Sequence, residues 1–154
     1  MALWLIFDVC VIFLKREYDY ALRICAYLAG NYQCGPISLA EISRKLFITR
    51  PFATKIVFQL KNRGIVHTTQ GKNGGVRLAQ LPETITLLSI LQGVGYRTSI
   101  SECIKKPDFC PLPAPCKLHG FFIEQENFSV QALRSRTIAE FAFTDADFDL
   151  TKAR

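Results

Sequence analysis

The spacing of apolar residues predicts an amphipathic helix near the start of the chain. Tyr20, Ile24, Tyr27 and Leu28 recur at intervals of three and four, which places their side chains on one helix face. Gly30 is a typical end for such a helix. This apolar face of the helix is therefore expected to pack against the core.

Two shorter helices are predicted next, with only a few residues between them. Ser38 and Glu41 match a capping box, in which the serine hydroxyl accepts the glutamate amide and the carboxylate reaches back. The second helix begins at Thr49, has Pro51 in its first turn and ends at Gly64. Two capped helices joined in this way form a helix-turn-helix.

The pattern then changes to the alternation that is typical of β-strands. Residues 65–70 are rich in β-branched side chains, and residues 76–78 resume an extended pattern. The segment 71–75 between them is Gly-Lys-Asn-Gly-Gly, which predicts positive φ angles for a tight hairpin. A hairpin with a basic tip directly after a helix-turn-helix is the wing of a winged helix.

The second half of the chain predicts a short helix, an irregular loop and a long helix. The short helix covers about residues 87–91, and four prolines exclude a regular helix over residues 103–116. A long helix begins at Leu118, and a capping box at Thr137 opens a last short helix. The acidic tail after Thr144 is expected to fray.

These elements predict a mainly α fold with a small β-hairpin wing: a winged helix-turn-helix followed by a long helix. The 154 residues fit one domain, or one small domain with an appendage. The segments are an apolar N-terminal extension (1–14), the winged helix-turn-helix (15–80), a short helix with a cysteine-rich loop (81–117), the long and last short helices (118–143) and the tail (144–154).

The apolar stretch 1–14 is shorter than the roughly 20 residues of a membrane span. It also lacks the basic start and the cleavage site of a secretory signal. We therefore expect a cytoplasmic protein, whose six cysteines are thiols or metal ligands rather than disulfides.

Basic residues concentrate in the predicted winged helix. Between Glu41 and Arg77 eight lysines and arginines stand against one glutamate, a net charge of +7, while the whole chain carries +6. A basic segment on a neutral body indicates a nucleic-acid partner more strongly than the overall charge does. A solvated surface is the alternative interpretation.

Three cysteines and a histidine fall close together in the irregular loop. Cys103, Cys110, Cys116 and His119 have the spacing Cys-x6-Cys-x5-Cys-x2-His. Zinc sites use ligands two to four residues apart, so these longer and more even gaps favour an iron–sulfur cluster. The alternative is three apolar structural cysteines and a surface histidine.

The order of three motifs resembles one known family. The hexapeptide 18–23 (Tyr-Asp-Tyr-Ala-Leu-Arg), the wing 71–78 and the three-cysteine loop are similar to those of the IscR/NsrR winged-helix transcription regulators, the Rrf-two family. The resemblance covers about residues 12–143. It implies a homodimer on palindromic double-stranded DNA, with a 2Fe-2S or 4Fe-4S cluster that controls DNA affinity. Residues 1–11 are then either translated upstream of the natural start or a real extension.

The resemblance assigns roles to residues of this chain. Cys103, Cys110 and Cys116 would be cluster ligands. The fourth ligand would be His119, as in IscR-like members, or Asp19 of the other subunit, as in NsrR-like members. Asp19 alternatively only stabilises the start of its helix.

The DNA-contacting residues are expected on the second helix of the helix-turn-helix and on the wing. They are Thr49, Arg50, Pro51, Phe52, Thr54, Lys55, Lys72, Asn73 and Arg77. Residues of the helix would enter the major groove, and those of the wing would hold phosphate or the minor groove. The glutamine at position 70 replaces an arginine that is usual in the family.

Apolar side chains on the long helix predict the dimer interface. They are Phe121, Phe122, Phe128 and Leu133. The alternative is that this helix only completes the core of a single chain.

Two other functions fit parts of the sequence. A regulator without a cluster, or with zinc, would sense redox state through its thiols. A redox enzyme or electron carrier would explain the cysteines but leave the basic wing unexplained. The sequence contains no recognisable catalytic triad, paired-carboxylate site or phosphate loop, so we predict no enzymatic activity, no small-molecule substrate and no membrane partner.

Overall fold

The computed structural model describes residues 15–71, 73–98, 101–106, 108, 110–112 and 116–148. The predicted N-terminal extension, the predicted DNA-contacting residue Lys72 and the last six residues lie outside this part of the chain. Its helices and strands are α1 (Arg16–Gly30), α2 (Leu39–Leu46), α3 (Arg50–Asn62), β1 (Val66–Thr69), β2 (Gly75–Leu78), α4 (Leu87–Gly93), α5 (Glu102–Lys105) and α6 (Lys117–Ser135). Short 3-10 turns cover Tyr32–Cys34, Pro82–Thr84, Ile138–Phe141 and Asp145–Asp147. This order confirms the predicted mainly α fold with a two-stranded hairpin.

Helix α1 lies at the centre of the core. It packs against α2, α3, α4, β2 and the turn Ile138–Phe141. Its apolar stripe is fully buried at Ile24 and nearly so at Tyr27 and Leu28, as the spacing predicts. Cys25 is also buried, and desolvation raises the pKa of its thiol to about 12. That thiol is therefore an inert core residue. No described helix is long and apolar enough to cross a membrane.

Helices α2 and α3 form the helix-turn-helix. The Ser38 hydroxyl accepts the amide of Glu41 at 3.1 Å. The Glu41 carboxylate pairs with Lys45 at 3.0 Å instead of reaching back, so only half of the predicted capping box forms. The turn passes through Phe47 at φ 53°, a left-handed conformation that is uncommon for a residue with a Cβ.

The wing is an antiparallel hairpin that is attached to the helix-turn-helix. In its register His67 lies opposite Arg77. Ile37, just before α2, pairs with Val76 through two backbone hydrogen bonds of 2.9 and 2.8 Å. This third strand segment pairs with β2 close to the tip of the wing and so attaches the hairpin to the start of α2.

The glycines of the wing serve a purpose that the sequence does not predict. Positive φ occurs at Gly71 but not at Gly74 or Gly75. A Cβ on Gly75 would lie 2.5 Å from the carbonyl oxygen of Ile37, and one on Gly74 would lie 2.3 Å from that of Thr69. The two glycines thus allow close backbone approach rather than a left-handed turn.

The second half of the chain packs against the winged helix. Helix α4 begins at Leu87 and ends at Gly93, two residues beyond the predicted span 87–91, and α6 packs on α4. The amide of Leu87 donates to the carbonyl of Arg136 at 3.0 Å. The capping box at Thr137 is present, with its amide 2.8 Å from the Glu140 carboxylate.

The segment after Thr144 is bound to the core as far as residue 148, so the expected fraying is wrong for these residues. The Tyr27 hydroxyl donates to the Asp145 carboxylate at 3.0 Å, and Lys45 of α2 forms an ion pair with the same carboxylate. Phe143 and Phe148 pack against the ring of Tyr27. The chain therefore ties the segment after α6 to the first helix of the helix-turn-helix.

The contact between Lys45 and Asp145 makes a pH-dependent contribution to stability. The hydrogen bond from Lys45 lowers the pKa of Asp145 below its usual value of 3.8, and the same bond raises the pKa of Lys45 above 10.5. We expect wild type to be more stable than Asp145→Asn at neutral pH. This advantage should shrink as pH falls below about 4, where the unfolded carboxyl binds a proton, and again as pH rises above about 10.5.

Urea unfolding midpoints between pH 3 and 11 measure this difference. Asp147→Asn is the control, because Asp147 lies in the same turn and accepts a hydrogen bond from the amide of Thr144 rather than from Lys45. An advantage of wild type over Asp145→Asn that does not change with pH would show that the ion pair is not the cause.

Candidate nucleic-acid interface and cysteine-rich loop

Helix α3 has one buried and one exposed face. Ala53, Ile56, Val57 and Leu60 pack into the core. The opposite face carries the predicted DNA-contacting residues Thr49, Arg50, Pro51, Thr54 and Lys55, all of which are exposed. The pattern of burial therefore presents this set of side chains together.

Contacts within the chain distinguish these residues from one another. The Phe52 ring is half-buried and packs edge-on against Tyr20 at 5.4 Å, so it supports the helix from behind. Lys55 pairs with Glu17 of α1 at 2.5 Å. The Thr54 hydroxyl donates to the carbonyl of Arg50 at 2.8 Å. The Arg50 side chain is exposed at the start of α3.

The wing contributes a second exposed set. Arg77 on β2 and His67 on β1 are exposed and lie opposite each other across the hairpin. Asn73 is exposed at the tip.

The exposed basic residues of the winged helix outnumber the acidic ones. Between Glu41 and Arg77 they are Arg44, Arg50, Lys55, Lys61, Arg63 and Arg77. The half-buried carboxylate of Glu41 pairs with Lys45, which neutralises its negative charge. This excess of exposed positive charge over a helix and a hairpin suits a polyanion such as duplex DNA.

The predicted cluster ligands lie on separate short elements. Cys103 is in the single turn α5, where its sulfur is 3.0 Å from the Ser101 hydroxyl oxygen. Cys110 is in irregular chain, Cys116 immediately precedes α6, and His119 is in the first turn of α6. All four side chains are half-buried, and the three cysteines are free thiols.

These donors are not brought together within one chain. Over the described residues, no three histidine, cysteine, aspartate or glutamate side chains form a group that could hold a metal ion. Asp19 is engaged on its own helix, 2.8 Å from Arg23. The donor chemistry, three half-exposed thiols and an imidazole beside α6, nevertheless fits an iron–sulfur cluster.

Two of the four predicted dimer residues lie on an exposed apolar face of α6, together with Leu118. Phe121 is 52% exposed, Phe128 is 61% exposed and Leu118 is 61% exposed. Phe122 is half-buried. Leu133 is buried in the core of the chain, with 7% exposure, so it is not available to a second subunit.

One exposed apolar residue of α3 was not predicted. Phe58 lies on the same face as Thr54, four residues further along, and 62% of its surface is exposed. The sequence does contain a signal for it, because position 58 falls outside the buried stripe through Ile56, Val57 and Leu60. An apolar ring there cannot belong to the core.

The comparisons with known proteins agree with this architecture. A helix-turn-helix with a hairpin wing defines a winged-helix protein. Residues 14–143 match the family model described as Rrf2, iron-dependent transcriptional regulator. The HTH-type transcriptional regulator NsrR of Shouchella clausii is 28% identical, over 84% of this chain and 87% of that protein.

Two solved structures show the same fold. CymR, described as the global cysteine regulator of B. subtilis, has a TM-score of 0.70 at 22% identity and covers 84% of this chain and 98% of that one. IscR of T. potens has a TM-score of 0.65 at 21% identity and covers 82% and 83%. The chain belongs to the Rrf2 family, whose members are DNA-binding transcription regulators and not enzymes. The family predicted from the sequence is thereby confirmed.

Proposed function

We propose that this protein is a homodimeric transcription regulator that binds a palindromic operator and senses its signal at the cysteine-rich loop. The observation that carries the proposal is the exposed basic surface shared by α3 and the wing. Arg50 and Thr54 are proposed to reach base edges in the major groove, and Arg77, with Lys72 and Asn73, to contact phosphate or the minor groove.

The exposed apolar face of α6 supports a dimer. Leu118, Phe121 and Phe128 are each more than half exposed, and apolar surface of this kind on a single helix is typical of a protein–protein contact. A two-fold axis through α6 would give the two winged helices the symmetry of a palindrome.

We propose an iron–sulfur cluster at the loop, with Cys103, Cys110 and Cys116 as ligands. The donor set and the iron-dependent description of the family support it. We propose His119 as the fourth ligand, since it lies one helical turn after Cys116 along the chain. Asp19 of the other subunit is the alternative, and in this chain it pairs with Arg23. A bound cluster supplies a group that reacts with nitric oxide, responds to iron supply or changes redox state.

Ligation would act on DNA binding through the loop. Cys103 lies in α5, which packs on α6, and Cys116 lies at the start of α6. Three sulfur bonds would join these elements and fix the loop between α4, which packs on the winged helix, and α6. The free energy available for control is the difference in cluster-binding free energy between the arrangement that binds DNA and the arrangement that does not.

Direct thiol sensing is the second candidate. It is favoured by the finding that the described donors are separate and by the fold likeness to CymR, described as a cysteine regulator. A colourless protein with free thiols, or with stoichiometric zinc, after anaerobic purification would support this candidate over the cluster.

Two arginine substitutions test the proposed interface. Arg77→Ala should weaken binding to specific and random duplex DNA alike and lower the slope of log affinity against log salt by about one, because one phosphate contact is lost. Arg50→Ala should reduce discrimination between operator bases by about 1–3 kcal/mol. Fluorescence anisotropy titrations at several salt concentrations measure both effects.

The control is Arg134→Ala, which removes another exposed arginine, from the last turn of α6. Its salt slope and its discrimination should equal those of wild type. If Arg77→Ala leaves the slope unchanged, the wing does not contact phosphate. If Arg50→Ala weakens all sequences equally, Arg50 contacts only the DNA backbone.

A further inference from the structure

Phe58 is a large apolar residue on an otherwise polar surface. It is 62% exposed. Thr54 and Lys55 precede it by four and three residues, and Lys61 and Asn62 follow by three and four. Residues at these spacings are neighbours on a helix surface, and all four are exposed. The ring is therefore surrounded by cationic and polar groups.

The surroundings of Phe58 indicate what kind of partner covers it. An apolar ring that closed a protein–protein contact here would bring Lys61 and Arg50 against the partner as well. Duplex DNA offers both features at once, because its phosphates neutralise the lysines and the 5-methyl group of thymine is an apolar contact in the major groove.

The position of Phe58 along α3 fits this assignment. Arg50, Thr54 and Phe58 are four residues apart, so they lie in one line with a spacing of about 6 Å. Base pairs stack about 3.4 Å apart. Successive members of the line therefore face bases roughly two steps apart in a groove.

We infer that Phe58 is a specificity-determining residue that contacts a thymine methyl group in each half-site. The inference rests on the proposed binding of DNA by α3. It predicts an A·T pair about two steps along from the pair that Thr54 faces, and a preference that arises from apolar contact rather than from hydrogen bonding.

The test begins with selection of duplexes from a randomised library by the full-length protein and by Phe58→Ser. In the sequence that wild type selects, each thymine is then replaced by deoxyuridine, which removes only the methyl group. We expect wild type to lose about four-fold in affinity at one symmetry-related pair of positions, for each methyl removed. Phe58→Ser should bind the thymine and deoxyuridine duplexes equally, and Phe58→Leu should keep the preference.

Phe47→Asn is the matched control. Phe47 is also an exposed aromatic residue of the helix-turn-helix, at 78%, but it lies in the turn and not on the exposed face of α3. Asparagine tolerates the left-handed conformation at this position. The control should keep the deoxyuridine effect of wild type.

The possible results separate this inference from the function on which it rests. If wild type and Phe58→Ser select the same sequence and show the same deoxyuridine effects, Phe58 does not read thymine and the inference is wrong. A loss of dimerisation in Phe58→Ser would likewise overturn it and assign the ring to a contact between subunits. If wild type enriches no sequence at all, the proposed regulator function fails as well.

Discussion

Replacing Gly30 with alanine should destabilise the folded chain, although alanine is the better helix former. Gly30 is the last residue of α1, where the added methyl group would by propensity alone stabilise the helix by up to about 1 kcal/mol. A Cβ at this position, however, would lie 2.0 Å from the carbonyl oxygen of Phe143. The clash is with backbone, so the segment 143–148 has to move away from α1.

The expected net effect is a loss of about 1–3 kcal/mol, as for an overpacked core. The displaced segment also carries Asp145 away from Tyr27 and Lys45. In the Gly30→Ala background, Asp145→Asn should therefore cost much less stability than it does in wild type. Urea unfolding of the single and double variants measures both quantities.

Gly120→Ala is the matched control for Gly30→Ala. Gly120 is a helical glycine of α6 whose added Cβ would have no neighbour within 4 Å. This variant should be as stable as wild type or slightly more stable. If Gly30→Ala is also stabilising, the segment after α6 does not pack on α1 as described.

Removal of any one loop cysteine should change DNA affinity by a large factor. Cys103→Ala, Cys110→Ala and Cys116→Ala each remove one of the proposed sulfur ligands, and we expect each to lose iron and sulfide. Because all three variants lose the same restraint on α6, they should share one DNA-binding phenotype. A coupling of about 1–3 kcal/mol corresponds to a change of roughly 5–150-fold in operator affinity.

Iron and sulfide analysis, absorption spectra and anisotropy titrations under anaerobic conditions test this prediction. Cys34→Ala is the control, since Cys34 is an exposed free thiol outside the loop. It should keep both iron and affinity. If the three loop variants bind the operator as iron-loaded wild type does, the cluster has a structural role rather than a regulatory one.

The helices and the wing could be predicted because each carries its own local signals. The stripe through Ile24 and Leu28, the proline in the first turn of α3 and the glycine after its end all act within a few residues. The family resemblance rested on such segments too. Local patterns were therefore sufficient for the fold.

Features that depend on distant contacts could not be predicted in this way. The role of Gly75 depends on the backbone of Ile37, and that of Asp145 depends on Tyr27 and Lys45. Leu133 appears in sequence as one apolar residue among several on α6, but the core of the chain already buries it.

At the candidate site, too, the features that follow from local patterns could be predicted, and those that depend on distant contacts could not. Exposure of α3 follows from its periodicity, so the set that includes Arg50 and Thr54 could be named in advance. Phe58 lies on that face as well, but apolar residues are assigned to the core by default. Whether the cysteines come together around a metal depends on how distant parts of the chain pack. Their spacing in the sequence therefore identifies only the donors.

A hydroxyl-radical footprint of the full-length protein on its selected duplex tests the central claim most directly. Two winged helices related by a two-fold axis should protect two symmetric stretches, with centres about 10 base pairs apart or at a multiple of that spacing. One asymmetric stretch, or no protection on a duplex that the protein binds, would contradict a dimer that reads a palindrome through α3 and the wing.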